Sequence, residues 1–487
     1  MLGQIYSSQG DTEHAIKNLS KAVELKPNDH ELKSLLGIEL TQNGDFDEAI
    51  RVFEQALKIK PEYAEVYNGI GTVLMGKGDL DAAIDSYKQA LEIKLDYVDA
   101  YFSMGNALKD KGELDAAIDS YKQAIKIKPG FTDAYNNMGN VLRQKGDLEE
   151  ALESFKQAVN IKPDDDEIYS NMSVVLTQMR CFSAAIEILK KAIKINPNSA
   201  CAYHNMGNCH SAQGKREEAV EAYKKAINIK PNSAESYCNL GHAFGTMDNT
   251  EAAIEAYKQA LNIEPHNVIA QHQLAAFTGQ TTASAPNKYI EQLFDNYAAH
   301  FEHSLIDTLE YKTPNLIAEV VLKLKSGAEL GPVLDLGCGT GLAGVALSGL
   351  CQNIEGIDLS RKMLRQADQK NVYDKLSHTG IVEYLSEAAL DFDLFIAADV
   401  FVYVGELSEV FRLIKLRNKR KGWLAFSTEH TEKDGFFLRT TGRYSHSKSY
   451  IESLCAEFDC QVLHFSKSNL RKEKGEFLTG GNYVLEF

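Results

Sequence analysis

Asp335 ends a strand-like apolar run and is followed closely by Gly337, Gly339, Gly341 and Gly344. Glycine allows positive φ and close approach of the backbone to a ligand, so this stretch reads as a turn over which a small molecule lies. Gly339-Thr-Gly341-Leu-Ala-Gly344 fits G-x-G-x-x-G, the pattern of a nicotinamide or flavin dinucleotide site. Asp335 argues against that ligand, because a carboxylate beside the turn would repel a pyrophosphate at low dielectric. The same carboxylate suits an ammonium group. Asp358 closes "IEGIDLS" where the next strand should end, and its two oxygens can accept from both hydroxyls of a ribose. Leu359 and Met363 are placed to flank a base, and Ser360 to cap the helix that follows.

S-adenosylmethionine (SAM) joins an amine, a sulfonium and a nucleoside. Its methyl leaves by in-line displacement, so alignment supplies most of the acceleration, and a base is needed only for an acceptor protonated at neutral pH. Four residues are catalytic candidates: Asp399 at the end of the fourth strand, Tyr403 one turn on, His430 after the fifth strand and His446 in "GRYSHS". Three of them have a plainer reading, as a helix cap or structural ligand for Asp399 and as structural or surface residues for the histidines. Arg439 and Arg443 could pair with an acceptor carboxylate or simply face water, and Cys338 reads as a small filler of the turn. No N-P-P-Y tetrapeptide is present, and no His/Asp/Glu set proposes a metal. His204, Cys209 and His210 do not share one helical face.

The elements that must hold these residues alternate. Short apolar runs, "PVLDLG", "NIEGIDLS", "DFDLFIAADV" and "GWLAFSTEH", are separated by amphipathic ones, which argues a parallel sheet with helices on both faces. "CQVLHFS" and "NYVLEF" close the chain without a helix between them and predict an antiparallel hairpin. Upstream, "FTGQTTASAPNK" (Phe277 to Lys288) breaks the helical period and reads as a linker, bounded at 276–287.

Before the linker the chain repeats every 34 residues. Proline recurs at 27, 61, 129, 163, 197, 231 and 265, with Leu95 in the vacant slot. Glycine recurs at 3, 37, 71, 105, 139, 207 and 241, with Ser173 as the exception. Small residues let two helices approach, a large one (Phe53, Tyr87, Tyr121, Phe155, Tyr223, Tyr257) fills the space between them, and proline ends the second. Residues 1–275 thus resemble tetratricopeptide repeats, with full repeats starting at 30, 64, 98, 132, 166, 200 and 234. The first repeat lacks its opening residues, so its start lies upstream or its cap is unusual. The resemblance implies an all-α solenoid whose concave face binds a protein or peptide. Asn137, Asn171, Asn205 and Asn239 form a column at the sixth position, similar to the asparagine ladder in the repeats of O-GlcNAc transferase. Such a column either grips a peptide backbone or is a set of solvated positions shared by duplication.

Residues 288–487 resemble class I SAM-dependent methyltransferases, an α/β Rossmann-like fold. More narrowly they are similar to predicted methyltransferases fused to tetratricopeptide repeats, through "LFDNYAAHFEHSL", "VLDLGCGTGLAG", "GIDLSRKML", "FDLFIAADVFVYVG" and "GRYSHSKSYIESL". The resemblance implies that Asp335, Gly337, Gly339, Gly341 and Asp358 contact SAM and that Tyr297 and Phe301 cover it. Two departures stand out. Gly380 occupies the place where the family sets an acid near the adenine, so a backbone partner would be needed there. "LRNKRKGW" replaces the usual Pro-Gly-Gly before the fifth strand.

The formal charge is −16, from 52 basic and 68 acidic residues. That balance disfavours nucleic acid and anionic membranes as partners. Eight cysteines without a C-x-x-C pair fit reduced thiols and a cytoplasmic protein. The competing expectation is a binding scaffold with an inactive methyltransferase-like domain, which Gly380 favours. An NAD-linked oxidoreductase is disfavoured by Asp335, and a glycosyltransferase by the lack of a sugar-nucleotide motif.

Overall fold

The computed structural model describes residues 12–298, 301, 311–326, 329–387, 389–473 and 476–487, and the side chains of 296, 297, 473 and 476 lie outside that description. The opening of the first repeat therefore falls outside it. The chain forms two compact units, Met1–Ile229 and Lys230–Phe487.

In the first unit, the leading helices of successive repeats are His30–Asn43, Ala64–Gly76, Val98–Lys111, Thr132–Lys145, Asp166–Gln178 and Ala200–Ala212. Each is followed by a second helix, such as Leu114–Ile127 after Val98–Lys111. The small-to-large pairing is literal. A Cβ on Gly105 would lie 2.6 Å from the Tyr121 ring, and one on Gly37 would lie 2.4 Å from Phe53. Where serine replaces this glycine, at Ser173, the facing position holds Leu189 instead of an aromatic, and both are fully buried. The smaller partner makes room for the serine side chain, as close packing requires.

The second unit opens with the helices Ala234–Thr246, Thr250–Ile263 and Val268–Thr278, and continues into an α/β domain. Its strands are β1 (Val333–Leu336), β2 (Ile354–Asp358), β3 (Lys375–His378), β4 (Leu394–Ala397), β5 (Trp423–His430), β6 (Phe436–Leu438), β7 (Tyr444–His446), β8 (Gln461–Glu473) and β9 (Glu476–Glu486). They are ordered β3-β2-β1-β4-β5-β7-β6, with β9 antiparallel to β5 and β8 antiparallel to β9. Val333 pairs in parallel with Ile354 on one side and Leu394 on the other. The strand order reverses between β1 and β4, the place where open α/β sheets bind ligands. Apolar residues cover both faces, with Leu334, Leu336, Phe395 and Phe426 on one and Val333, Ile354, Leu394 and Ile396 on the other. That two-sided burial explains why these strands read as continuous apolar runs.

The segment that reads as a free linker is docked. Ser284 forms an antiparallel bridge with Val404. Ala285 N donates to Tyr403 O at 3.0 Å, and Glu406 N to Ala283 O at 2.7 Å. Ahead of it, His272 donates through Nε2 to Gly442 O at 2.9 Å, and Gln273 Nε2 donates to Tyr289 Oη at 3.1 Å. The helix Val268–Thr278 is thereby fastened to the α/β domain, and the compact unit starts at Lys230 rather than at the linker. Among the described residues, no helix is long and apolar enough to cross a membrane.

Candidate active site

At the C-terminal ends of β1, β2 and β4 lies a cavity of about 340 Å³. Asp335, Gly337, Cys338, Gly339 and Thr340 form its floor, Asp358 and Leu359 one side, and Asp399, Tyr403, Arg443 and Arg471 the other. Phe294 and Phe301, 5.9 Å apart edge to face, also line it. The Tyr297 side chain lies outside the described residues.

The glycine turn takes its shape from three left-handed residues, Gly337, Gly339 and Gly341 at φ +73°, +55° and +92°. Gly344, the third glycine of the G-x-G-x-x-G pattern, serves a different end. A Cβ there would come within 2.4 Å of the Tyr373 ring. Tyr373 donates its hydroxyl to Asp335 Oδ2 at 2.7 Å and accepts Gly344 N at 3.2 Å. This tyrosine was not legible as a site residue, because "NVYDKL" carries no motif; its signal is the pair of glycines, 344 and 356, that clear space for its ring.

Asp335 is 1% exposed. Burial raises its carboxyl to about 7, with the Tyr373 hydroxyl opposing and the like charge of Asp358 adding to the rise. Asp358 is also raised by burial, against the backbone amides it accepts. Its Oδ2 takes Gly339 N at 2.9 Å and its Oδ1 takes Ser360 N at 2.7 Å. Each oxygen keeps a lone pair for a ligand hydroxyl. Ser360 caps Arg361–Gln369 by accepting Met363 N at 3.1 Å and donates to Asp295 Oδ1 at 2.5 Å, which ties the helix Asn287–Tyr297 over the cavity. Thr340 Oγ1 is buried without a protein partner among the described residues.

Opposite, one terminal nitrogen of Arg471 meets both oxygens of Asp399, at 2.8 and 2.6 Å, and the other meets Glu429 Oε1. Arg443 Nε donates to the Tyr403 hydroxyl at 3.4 Å and approaches Glu429, as does Arg439. Burial raises the Glu429 carboxyl even against Arg471 and Arg443. Asp399 itself sits at φ +61°, a conformation rare outside glycine that marks functional or over-determined positions. Glu429 and Arg471 carry no motif in the sequence: Glu429 sits inside the strand-like run "GWLAFSTEH" and Arg471 in a stretch of alternating charge. A register shift between Asn469 and Arg471 re-aims the arginine inward.

Four sequence candidates lie off the cavity wall. His446 is fully buried, bonded through Nε2 to Gly405 O at 2.8 Å, and burial holds it neutral at about 4. His430 contacts Glu432 instead. Met363 is 0% exposed beneath the wall, and Gly341 packs against Ala367. His446 is thus held away from a proton-transfer role by its carbonyl partner and burial, and His430 simply lies off the cavity lining.

In the repeats, Asn137 donates to Asn106 Oδ1, Asn171 to Asn136 Oδ1 and Asn205 to Ser170 O, at 2.9, 3.1 and 3.2 Å. Each asparagine thus commits one amide hydrogen to the preceding repeat. Asn239 belongs to the second unit and is half-buried.

Family models match a tetratricopeptide repeat at residues 1–29, a TPR repeat at 37–78, a cilia and flagella-associated protein 70 C-terminal domain at 64–262, and a methyltransferase domain at 333–422. The chain carries tetratricopeptide repeats ahead of a methyltransferase domain. The matched span of the methyltransferase domain runs from β1 to the start of β5 and contains the glycine turn, Asp358 and Asp399. Curated relatives include ubiquinone biosynthesis O-methyltransferases. That of Bordetella avium is 25% identical over 174 residues, 34% of this chain and 72% of the relative. That of Ralstonia nicotianae is 29% identical over 119 residues, 23% of this chain and 48% of the relative. Beyond the first, the chain spans about half the length of these relatives. Similar solved structures include MamA, 30% identical over 33% of this chain and 95% of that one, TM-score 0.30. A tetratricopeptide repeat protein from Parabacteroides merdae is 17% identical over 51% and 98%, TM-score 0.44.

Proposed function

We propose that this protein is a SAM-dependent methyltransferase whose repeat arm holds a protein or peptide. The observation that carries the cofactor reading is the state of Asp335. It is a carboxylate at the cavity floor, and among the described residues only the Tyr373 hydroxyl and another acid act on it. A ligand ammonium would supply the missing counter-charge. The rest of the floor fits the same molecule. Thr340 offers an unpaired buried hydroxyl to an amino-acid carboxylate, Asp358 keeps two lone pairs for ribose hydroxyls, and Leu359 offers an apolar face to a base. When bound, SAM supplies an activated methyl group.

The opposite wall orients more than it moves protons. Asp399 has both oxygens on the Arg471 guanidinium, which occupies it as a structural partner and fixes its orientation on this wall. Tyr403 accepts from Arg443, so its own hydroxyl hydrogen is available to orient an acceptor. Phe294, Leu293 and Ile290 give the crevice an apolar lining on this side. Alignment and desolvation are the contributions such a wall makes.

The test uses the raised carboxyl. At pH 6 Asp335 is mostly protonated in the ligand-free protein, since its ordinary range is near 4 and burial lifts it to about 7. An ammonium favours the ionised form, so SAM binding releases about one proton at pH 6, about half that at pH 7 and almost none above pH 8. Calorimetry at pH 6 in buffers of different ionisation enthalpy should show that release in the wild type and its loss in Asp335→Asn. Absence of saturable SAM binding would leave the scaffold reading in its place.

Support for the arm's role comes from the repeats themselves and from Asn137 and Asn171, half-buried carboxamides of a type that suits main-chain donors and acceptors. Labelled methyl transfer into a cell lysate should reach fewer protein bands with the Asn137→Ala/Asn171→Ala variant at unchanged SAM affinity. Label confined to small molecules would overturn the protein-substrate half of the proposal.

A further inference from the structure

Resting on the SAM reading, we infer that Glu383 and Asn287 together read the edge of the adenine, in place of the acid that Gly380 cannot supply. Both residues line the cavity on the side of Asp358 and Leu359. Glu383 lies in the first turn of the helix Ile381–Glu387, and its Oε2 accepts Gly380 N at 3.4 Å, so the side chain folds back toward the position three residues earlier. A Cβ on residue 380 would lie 3.3 Å from Asn287 Nδ2, 3.8 Å from Leu359 Cδ2 and 3.9 Å from Glu383 Oε2. The space a side chain at 380 would have entered is therefore ringed by a carboxamide, an aliphatic face and a carboxylate.

The backbone is a poor substitute at this turn. Gly380 O already accepts Tyr384 N at 2.9 Å and the Thr379 hydroxyl at 3.5 Å, and Gly380 N is committed to Glu383. Adenine presents an amino donor beside a ring-nitrogen acceptor. A carboxylate accepts from the first and a carboxamide N–H donates to the second. Hypoxanthine presents a carbonyl and a ring N–H at the same two places, so it would set an acceptor against the carboxylate and a donor against the amide. Asn287 is the last residue of the linker, which gives that segment a part in cofactor recognition as well as in joining the two halves of the chain.

Calorimetric titration of the full chain with S-adenosylhomocysteine and S-inosylhomocysteine tests the assignment. The wild type is expected to prefer the adenine compound by roughly tenfold or more. Glu383→Ala should bring that preference below about threefold, and Asn287→Ala should weaken the adenine compound with a smaller loss of preference. Glu383→Gln, whose amide can donate to the hypoxanthine carbonyl, should move the preference toward the inosine compound. A preference unchanged in Glu383→Ala overturns this inference alone. Failure of both compounds to bind the wild type overturns it together with the reading on which it rests.

Discussion

Replacing Asp358 with alanine is expected to lower the affinity for SAM by about a hundredfold or more. The carboxylate does two things at once. It holds the Gly339 and Ser360 amides that shape the turn and the following helix cap, and on the proposed reading it would accept from the ribose hydroxyls. Alanine removes the ligand contact and leaves two amide donors unpaired, each costing about 1–3 kcal/mol where water cannot reach it. Asparagine retains one acceptor oxygen and should lose less, on the order of tenfold. Calorimetric titration measures both, and an Asp358→Ala variant that binds as the wild type does would remove the nucleoside assignment from β2.

The second large effect is on stability. Arg471→Ala strips the shared cation from Asp399 and Glu429, which are 16% and 1% exposed in their side chains. Leaving buried carboxylates without their partner typically costs about 3–5 kcal/mol. For a unit of this size that corresponds to a fall in Tm on the order of 10 °C. Arg471→Lys should recover only part of it, since one ammonium cannot span both acids as the guanidinium does. Differential scanning calorimetry checks the shift, and a midpoint within about 2 °C of the wild type would show that the ion network is not a structural keystone.

How much of this was legible varies with the range of the interaction. The repeats were, because a 34-residue period writes each packing contact several times over, and the small residue at 105 and the ring at 121 belong to one local helix pair. The glycine turn and the acids at 335 and 358 were, because strand ends and turn chemistry are local. Arg471 was not, since only the β8–β9 register and its bulge decide that one basic residue in "LRKEK" turns inward. His446 misled for the converse reason: its chemistry is local, but its burial and its carbonyl partner, Gly405, come from 41 positions away, whereas His430 turns to Glu432, only two residues on. Gly344 shows a motif residue that fits its pattern while serving a ring 29 positions away.

The docked strip from Thr282 to Asn287 also bears on where this chain can be divided. Severing it inside "TTASAPNK", the break the sequence offers, would disturb the lining formed by Ser284, Ala285 and Asn287 and the bridge to Val404. Division at Lys230 would carry the strip and its anchoring helix along intact. Exchange of arms by gene shuffling therefore keeps the cavity lining whole only when the junction lies upstream of the strip and its anchoring helix.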